Sequence, residues 1–276
     1  MKFKKTGANL YIPTRGKQTT ELSHAKYLGI AAHQDDLEII GFPGILDAYK
    51  SKNTLFGGVV CTNGVPKSSK NFEQIRKIRS EEQKRASDIG KYGFVLQLGY
   101  SSTEITDKDN KDIESDIIKI VQKTKPKIIY THNPFDKHKT HTAVCRAVIN
   151  SLRSLKDSYK PERLYACEVW RNLDWLDNKD RVEFDVNNSA EFATKLIEVF
   201  DSQIRNEKNY KKAVIARRTA NATFSDAYSK DKTDQLIIGL DLTPLIIDNT
   251  LNIKDYLLEI VDRFRDDIRE NLKQLF

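Results

Sequence analysis

The sequence predicts an α/β fold, a mostly parallel sheet with helices on both faces. Two observations carry that expectation. Between residues 27 and 155, short apolar runs alternate with amphipathic stretches, the pattern of strands joined by crossover helices. Four of the five histidines fall in two short windows, each directly after such a run. Open parallel sheets bind their ligands there, at the carboxyl ends of strands.

Taken in order, residues up to about 25 read as an irregular arm. A buried strand is expected over 27–32, then a helix over 38–52 whose first turn Pro43 and Gly44 make irregular. Strand 55–61 leads to a long charged helix, 72–92, and strand 94–98 to a helix over 111–124. That helix carries Ile113, Ile117, Ile118 and Val121 on one face. Strand 127–131 and helix 142–155 close the alternation. The result is a Rossmann-like core over about 26–160. Beyond it the pattern loosens into strands at 164–169, 182–186 and 236–240 and a helix at 191–205. The last helix, 253–272, has apolar residues at helical spacing that suggest docking on the body. Residues 1–276 therefore read as a single α/β domain, with about 161–276 as a cap or additional layer.

Composition narrows the function classes. The chain has 276 residues, 46 Lys+Arg against 39 Asp+Glu, and a net charge of +7. The basic excess concentrates in residues 1–20 and 205–218; such patches attract nucleic acid, anionic lipid or an anionic small substrate. Only Tyr210 adds an aromatic to the second patch, and nucleic acid is not the expected partner. No apolar run reaches the ~20 residues of a membrane span. The charged start lacks an apolar stretch and does not read as a secretory signal. Three scattered cysteines, at 61, 145 and 167, argue against a disulfide framework and for a cytoplasmic setting.

The first histidine window is Ala32-His33-Gln34-Asp35-Asp36-Leu37-Glu38. One imidazole and two adjacent carboxylates sit on a strand-to-helix turn. Neighbouring carboxylates there point differently, so one can ligate a cation while the other faces a bound water; the plain alternative makes one of them a helix N-cap. The second window runs from Thr131-His132 to Lys139-Thr140-His141 and includes His138. His33, Asp36 and His141 would form a two-His, one-carboxylate set with an open position. That suits a catalytic zinc site and equally the facial triad of non-haem iron enzymes. His132, at the strand end, reads as a supporting residue.

These windows resemble the LmbE / PIG-L family of N-acetylglucosaminyl deacetylases. The family's Ala-His-Pro-Asp-Asp-x-Glu corresponds to residues 32–38, and its Asp-x-His-x-Asp-His to Asp136-Lys137-His138-Lys139-Thr140-His141. Between them lie Thr62-Asn63-Gly64 and the Arg79-x-x-Glu82-x-x-x-Ala86 helix; after them come Glu168-Val169-Trp170 and Ser202-Gln203. The resemblance covers residues 26–205. It implies a zinc-dependent amidohydrolase, with another divalent transition metal as the alternative, that releases acetate from an N-acetylated amino sugar or glycoconjugate. A homo-oligomer is compatible with it. His33, Asp36 and His141 would hold the metal, Asp35 would act as general base, and protonated His138 would stabilise the oxyanion. Arg79, Asn63 and Glu168 would contact substrate. Two positions depart from the pattern. Gln34 replaces Pro, and Thr140 replaces the carboxylate that orients the neighbouring His, a role Asp136 could take. Rival readings are a phosphoesterase on the same ligands, a metal-binding member that has lost catalysis, and a nucleic-acid-binding protein whose affinity would fall with salt.

Overall fold

The computed structural model describes residues 2–13, 22, 24–66, 69–155, 159–204 and 209–276. In chain order the elements are β1 (Asn9–Tyr11), β2 (Tyr27–Ala31), α1 (Asp36–Ile40), α2 (Phe42–Lys50), β3 (Phe56–Thr62), α3 (Phe72–Ile89), β4 (Phe94–Tyr100), α4 (Ser102–Thr106), α5 (Asp112–Thr124) and β5 (Ile128–His132). They continue with α6 (Lys139–Arg153), β6 (Arg163–Cys167), β7 (Arg181–Asp185), α7 (Ala190–Glu198), α8 (Asp201–Ile204), α9 (Tyr210–Thr223), β8 (Leu236–Asp241), α10 (Thr243–Ile247) and α11 (Ile253–Leu275).

All eight strands join one sheet in the order β1-β4-β3-β2-β5-β6-β8-β7. The central five pair in parallel, while β1, β7 and β8 pair antiparallel to their neighbours. The expected mostly parallel sheet is therefore present, and the strands of 161–276 extend that same sheet. The order reverses between β2 and β5, so the loops leaving those two strands diverge and open a crevice between them. Both histidine windows lie on these loops.

The core has two faces because strand side chains alternate. Leu28, Ile30, Val59 and Cys61 meet α5 and α6 residues such as Ile117, Val144 and Val148 on one face. Tyr27, Ala31, Phe56 and Val60 meet Leu37, Ile40, Phe42 and Ile45 on the other. On that second face, α1 rests directly on the sheet. A Cβ at Gly29 or Gly58 would stand 2.8 Å from a Leu37 methyl, so the missing side chains make room for the helix that carries Asp36.

The structure departs from the sequence expectations in several places, among them the helix expected over 191–205, which is broken into α7 and α8. The arm contains β1, paired with β4 as Asn9↔Gln97 through Tyr11↔Val95. It is pinned by Asp116, whose buried carboxylate accepts the Lys4 and Lys5 amides at 2.8 and 3.3 Å and the Tyr100 hydroxyl at 2.8 Å. The helix expected over 38–52 is split at Gly41 into α1 and α2, with Pro43 in the first turn of the second. The 205–218 stretch, expected as a basic patch, mostly forms α9, in which Arg218 is buried over the Phe42 ring at 4.1 Å. The charged side chains Arg15, Lys17, Arg205 and Lys208 of the two basic stretches lie outside the described residues. Finally, only the first half of α11 docks on the body: Ile260 is its one buried residue, and everything from Phe264 onward is exposed.

Candidate metal centre

The turn after β2 is strained. Asp35 has φ 88° and ψ −28°, the left-handed region, and stands at the N-cap position of α1 without any side-chain cap bond. A non-glycine residue held there costs about 1–3 kcal/mol, so capping does not explain Asp35. Asp36 Oδ2 accepts the His33 amide at 2.8 Å and lies 3.1 Å from His33 Nδ1.

The second window comes in from β5 and α6. His141 Nε2 stands 3.3 Å from Asp36 Oδ2 and 3.2 Å from His33 Nδ1. The atoms His33 Nδ1, Asp36 Oδ2 and His141 Nε2 thus form a triangle with sides of 3.1, 3.2 and 3.3 Å. Tetrahedral zinc, with bonds near ~2.0–2.1 Å, needs donors about 3.3 Å apart. The donor set and its spacing fit a divalent transition ion. Two overlapping groups, His33/His138/His141 and Asp36/His132/His141, also bring ligand atoms within 4.8 Å of one another. His132 is the poorer ligand of these, because its Nε2 already accepts the Ala32 amide at 2.8 Å. Its ring stacks on His141 with centroids 3.9 Å apart, which holds the His141 ring in place.

Asp136 is the outer support of His141. Its Oδ2 faces His141 Nδ1 at 3.3 Å and accepts the Trp170 amide at 3.2 Å, while Oδ1 accepts the His138 amide at 3.1 Å. The carboxylate therefore orients the ring of His141, and it reaches His138 only through the backbone. The His138 Nδ1 atom is buried without a hydrogen-bond partner. Thr140 is buried beside it in the first turn of α6, and no hydrogen bond joins the two side chains.

The charges follow from this packing. Burial pushes Asp36 up, but the neighbouring His141 and His132 outweigh it and hold the carboxyl well below its usual range. Asp35 goes the other way: burial first, then the charge of Asp36, raise it well above the ordinary value. Burial alone would lower His141, yet Asp36 and Asp136 raise it to about 9. Burial, together with the charges of His141 and His33, pushes His138 down to about 4. Two neighbouring carboxyls thus titrate in opposite directions, as perturbed groups at functional sites do.

Around this cluster lies a pocket of about 260 Å³, slightly below the ~300–1,000 Å³ of ligand sites. It holds His33, Asp35, Asp36, His138, His141 and Arg79 together. Arg79 Nη1 donates to the Gly64 carbonyl and Nε is buried without a partner. Asn63 and Glu168 are placed differently. Asn63 Oδ1 caps Val65 at 3.0 Å, and the residue faces a neighbouring cavity of about 570 Å³. Glu168 is buried behind the wall, accepting the Leu173 amide at 3.2 Å and the Asn221 side chain at 2.5 Å. Glu168 thus braces the 169–173 loop.

Other motif residues prove to be braces. Glu38 Oε1 accepts Gln83 Nε2 at 2.9 Å and the Tyr92 hydroxyl at 2.8 Å, tying α1 to α3. Glu82 accepts both the amide and the hydroxyl of Ser202 at 2.7 and 2.6 Å. Gln203 Nε2 donates to the Gln34 carbonyl at 2.7 Å, and Gln34 Nε2 donates to Gln97 Oε1 at 3.0 Å. Gln34 thereby fixes with its amide a turn that proline would otherwise stiffen. Tyr210, Trp170 and Ser102 also line the pocket, beyond the residues the sequence motifs point to. Tyr210 lies in the field of Asp35 and Asp36, with its ring edge-on to Trp170 at 5.9 Å. Its only signal in the sequence was an aromatic within a basic stretch.

Comparisons with known proteins bear out the resemblance. Residues 28–152 match the family model described as PIG-L, GlcNAc-PI de-N-acetylase. No curated protein matches the sequence. Among solved structures, the N,N'-diacetylchitobiose deacetylase from Pyrococcus horikoshii is similar with a TM-score of 0.64 and 16% identity, over 81% of this chain and 86% of that one. A conserved protein from Thermus thermophilus follows at 0.61 and 18%, over 79% and 94%. The 4-carboxy-2-hydroxymuconate hydratase from Pseudomonas putida KT2440 gives 0.59 and 16%, over 80% and 96%. At such identities the likeness is one of fold.

Proposed function

We propose, on the premise that residues 28–152 are a segment of the PIG-L type, that this protein is a metal-dependent de-N-acetylase of amino-sugar substrates. One observation carries the reading: the 3.1–3.3 Å triangle of His33, Asp36 and His141, with Asp35 freed from capping beside it. These three residues would hold a divalent ion, zinc by its fit to two imidazoles and one carboxylate. When bound, such an ion lowers the pKa of a ligated water to ~7 and polarises an acyl oxygen.

The rest falls to the chain's own side chains. Asp35, with its raised pKa, accepts the proton of the attacking water and passes it to the departing amine. The acyl carbon gains the hydroxyl, its bond to nitrogen breaks, and acetate and a free amine leave. His138 donates a ring N–H to the developing oxyanion. With a pKa near 4 it does so as the neutral imidazole, which still carries one N–H, in place of the protonated form expected from the family. Arg79 keeps guanidinium donors for substrate oxygens after its bond to Gly64. Trp170 and Tyr210 offer ring faces for a sugar. The pocket's volume suits one ring, with the remainder of a conjugate left outside.

A second reading has one specific support, since a hydratase shares this architecture: a bound water and a nearby carboxyl base could equally add water to a double bond. The test is a screen of purified, metal-loaded protein on N-acetylated amino sugars, following acetate and free amine, alongside an unsaturated carboxylate and a phosphomonoester. Stoichiometric acetate and amine support the reading. Loss of the unsaturated chromophore or release of phosphate, without acetate, removes it.

A further inference from the structure

The last helix ends in a surface that the described residues leave largely uncovered. From Phe264 to the end of α11 every residue is exposed, about 18 Å of helix at 1.5 Å per residue. Isolated helices of that length are marginal in water. Yet this one carries a continuous apolar stripe: Val261, Phe264, Ile268, Leu272 and Leu275, exposed by 38, 38, 42, 47 and 74%. At 100° per residue the five fall within an arc of about 80°. Such a stripe on a soluble chain marks an interaction surface.

We propose that this stripe pairs with the same stripe of a second copy of the chain, in an antiparallel arrangement. The first reason is its symmetry. About Ile268, the apolar positions stand at four and seven residues on either side. A two-fold axis through Ile268 sets Val261 against Leu275 of the second copy and Phe264 against its Leu272. That is the self-complementarity an isologous contact requires.

The second reason is area. With Leu258 and Phe276 at the margins, and side chains of about 150–200 Å² each, the exposed fractions amount to roughly 600–800 Å² per chain. A stable pair covers ~800 Å² per partner. The third reason is charge. α11 carries five Lys/Arg against six Asp/Glu, and Arg265, Arg269 and Lys273 pair with Asp262, Asp266 and Glu270 of their own helix. That balance lacks the cationic face that would favour an anionic membrane or nucleic acid.

The inner end of the stripe meets the body of the chain. Phe264 packs edge-on against Trp175 at 5.7 Å, and Trp175 against Phe135 at 5.2 Å. Phe135 precedes Asp136, the support of His141.

Sedimentation equilibrium of the full chain at about 1–50 µM tests the proposal. The expected species has twice the 31.7 kDa chain mass, and Ile268→Lys with Leu272→Lys yields monomer. A second variant covers the case in which that one misfolds. Under mild oxidation, Ile268→Cys should cross-link two chains, and Glu270→Cys, on the opposite face of the helix, should not. The three native cysteines are buried and stay out of the reaction. A wild-type monomer throughout the range, an oligomer indifferent to the double substitution, or equal cross-linking at positions 268 and 270 would each overturn it. So would a monomer that instead floats with phosphatidylserine vesicles.

Discussion

Two adjacent aspartates with the same chemistry sit in opposite surroundings, which push one carboxyl up and the other down. The left-handed Asp35 sends its carboxyl to the pocket while Asp36 stays among the imidazoles. Asp35→Asn should therefore keep the metal and lower kcat by ~10²–10⁴-fold, the usual worth of a general base; metal analysis and acetate release on the same sample check it, and a near-normal rate would take Asp35 out of the reaction. The imidazoles supply a second test, in the metal-free protein. His141 is raised from 6.5 to about 9, so its contribution to stability is full below pH 6.5 and is lost as pH rises through 9. His132 and His138, pushed down to about 4, add nothing across that window. Thermal unfolding in chelator should show Tm falling between pH 6.5 and 9, reporting a loss of stability on the order of 1–3 kcal/mol. Saturating zinc, which takes the place of the proton on His141, should abolish the fall. A flat chelated profile would contradict the charge on His141.

At the scale of elements, the sheet was legible because buried strands and amphipathic helices write their periods directly into the sequence. The strands over 27–31 and 56–62 and the long helix over 72–89 needed nothing else. β1 was hidden because a three-residue edge strand has no period to read, and its anchor, Asp116, lies more than a hundred residues away. α9 was hidden for another reason: its cations suggested solvent, whereas Arg218 is buried against Phe42 by tertiary packing alone. In the site, the residues close in sequence to the two windows were legible, and the supporting ones were not. Nothing local tells that Asp136 faces His141, that Glu168 braces a loop, or that Tyr210 returns to the pocket. The element that most directly positions the site is α1, seated by Leu37 over Gly29 and Gly58. Leu37→Ala removes a fully buried side chain and should cost about 2–5 kcal/mol, read by chemical denaturation. It should also loosen metal binding, because Asp36 precedes Leu37 on the same turn. A cost under about 1 kcal/mol would mean that α1 is held elsewhere.

Across the whole molecule, the architecture brings two distant loops to one crevice. His33 and His141 are 108 residues apart, yet their ring nitrogens stand 3.2 Å apart. The parallel core fixes this by reversing its strand order between β2 and β5. Among the described residues, no helix is long and apolar enough to cross a membrane. The fold alone does not choose a reaction, since a hydratase and a deacetylase share it; the side chains at the crevice do. In the proposed reaction one ion, held by His33, Asp36 and His141, supports acetate release. This is tested most directly by measuring metal content and acetate release together, in wild type and in Asp36→Ala. The wild type should carry about one divalent ion per chain and turn over substrate, and the variant should lose both. An Asp36→Ala protein that releases acetate at the wild-type rate without bound metal would contradict it.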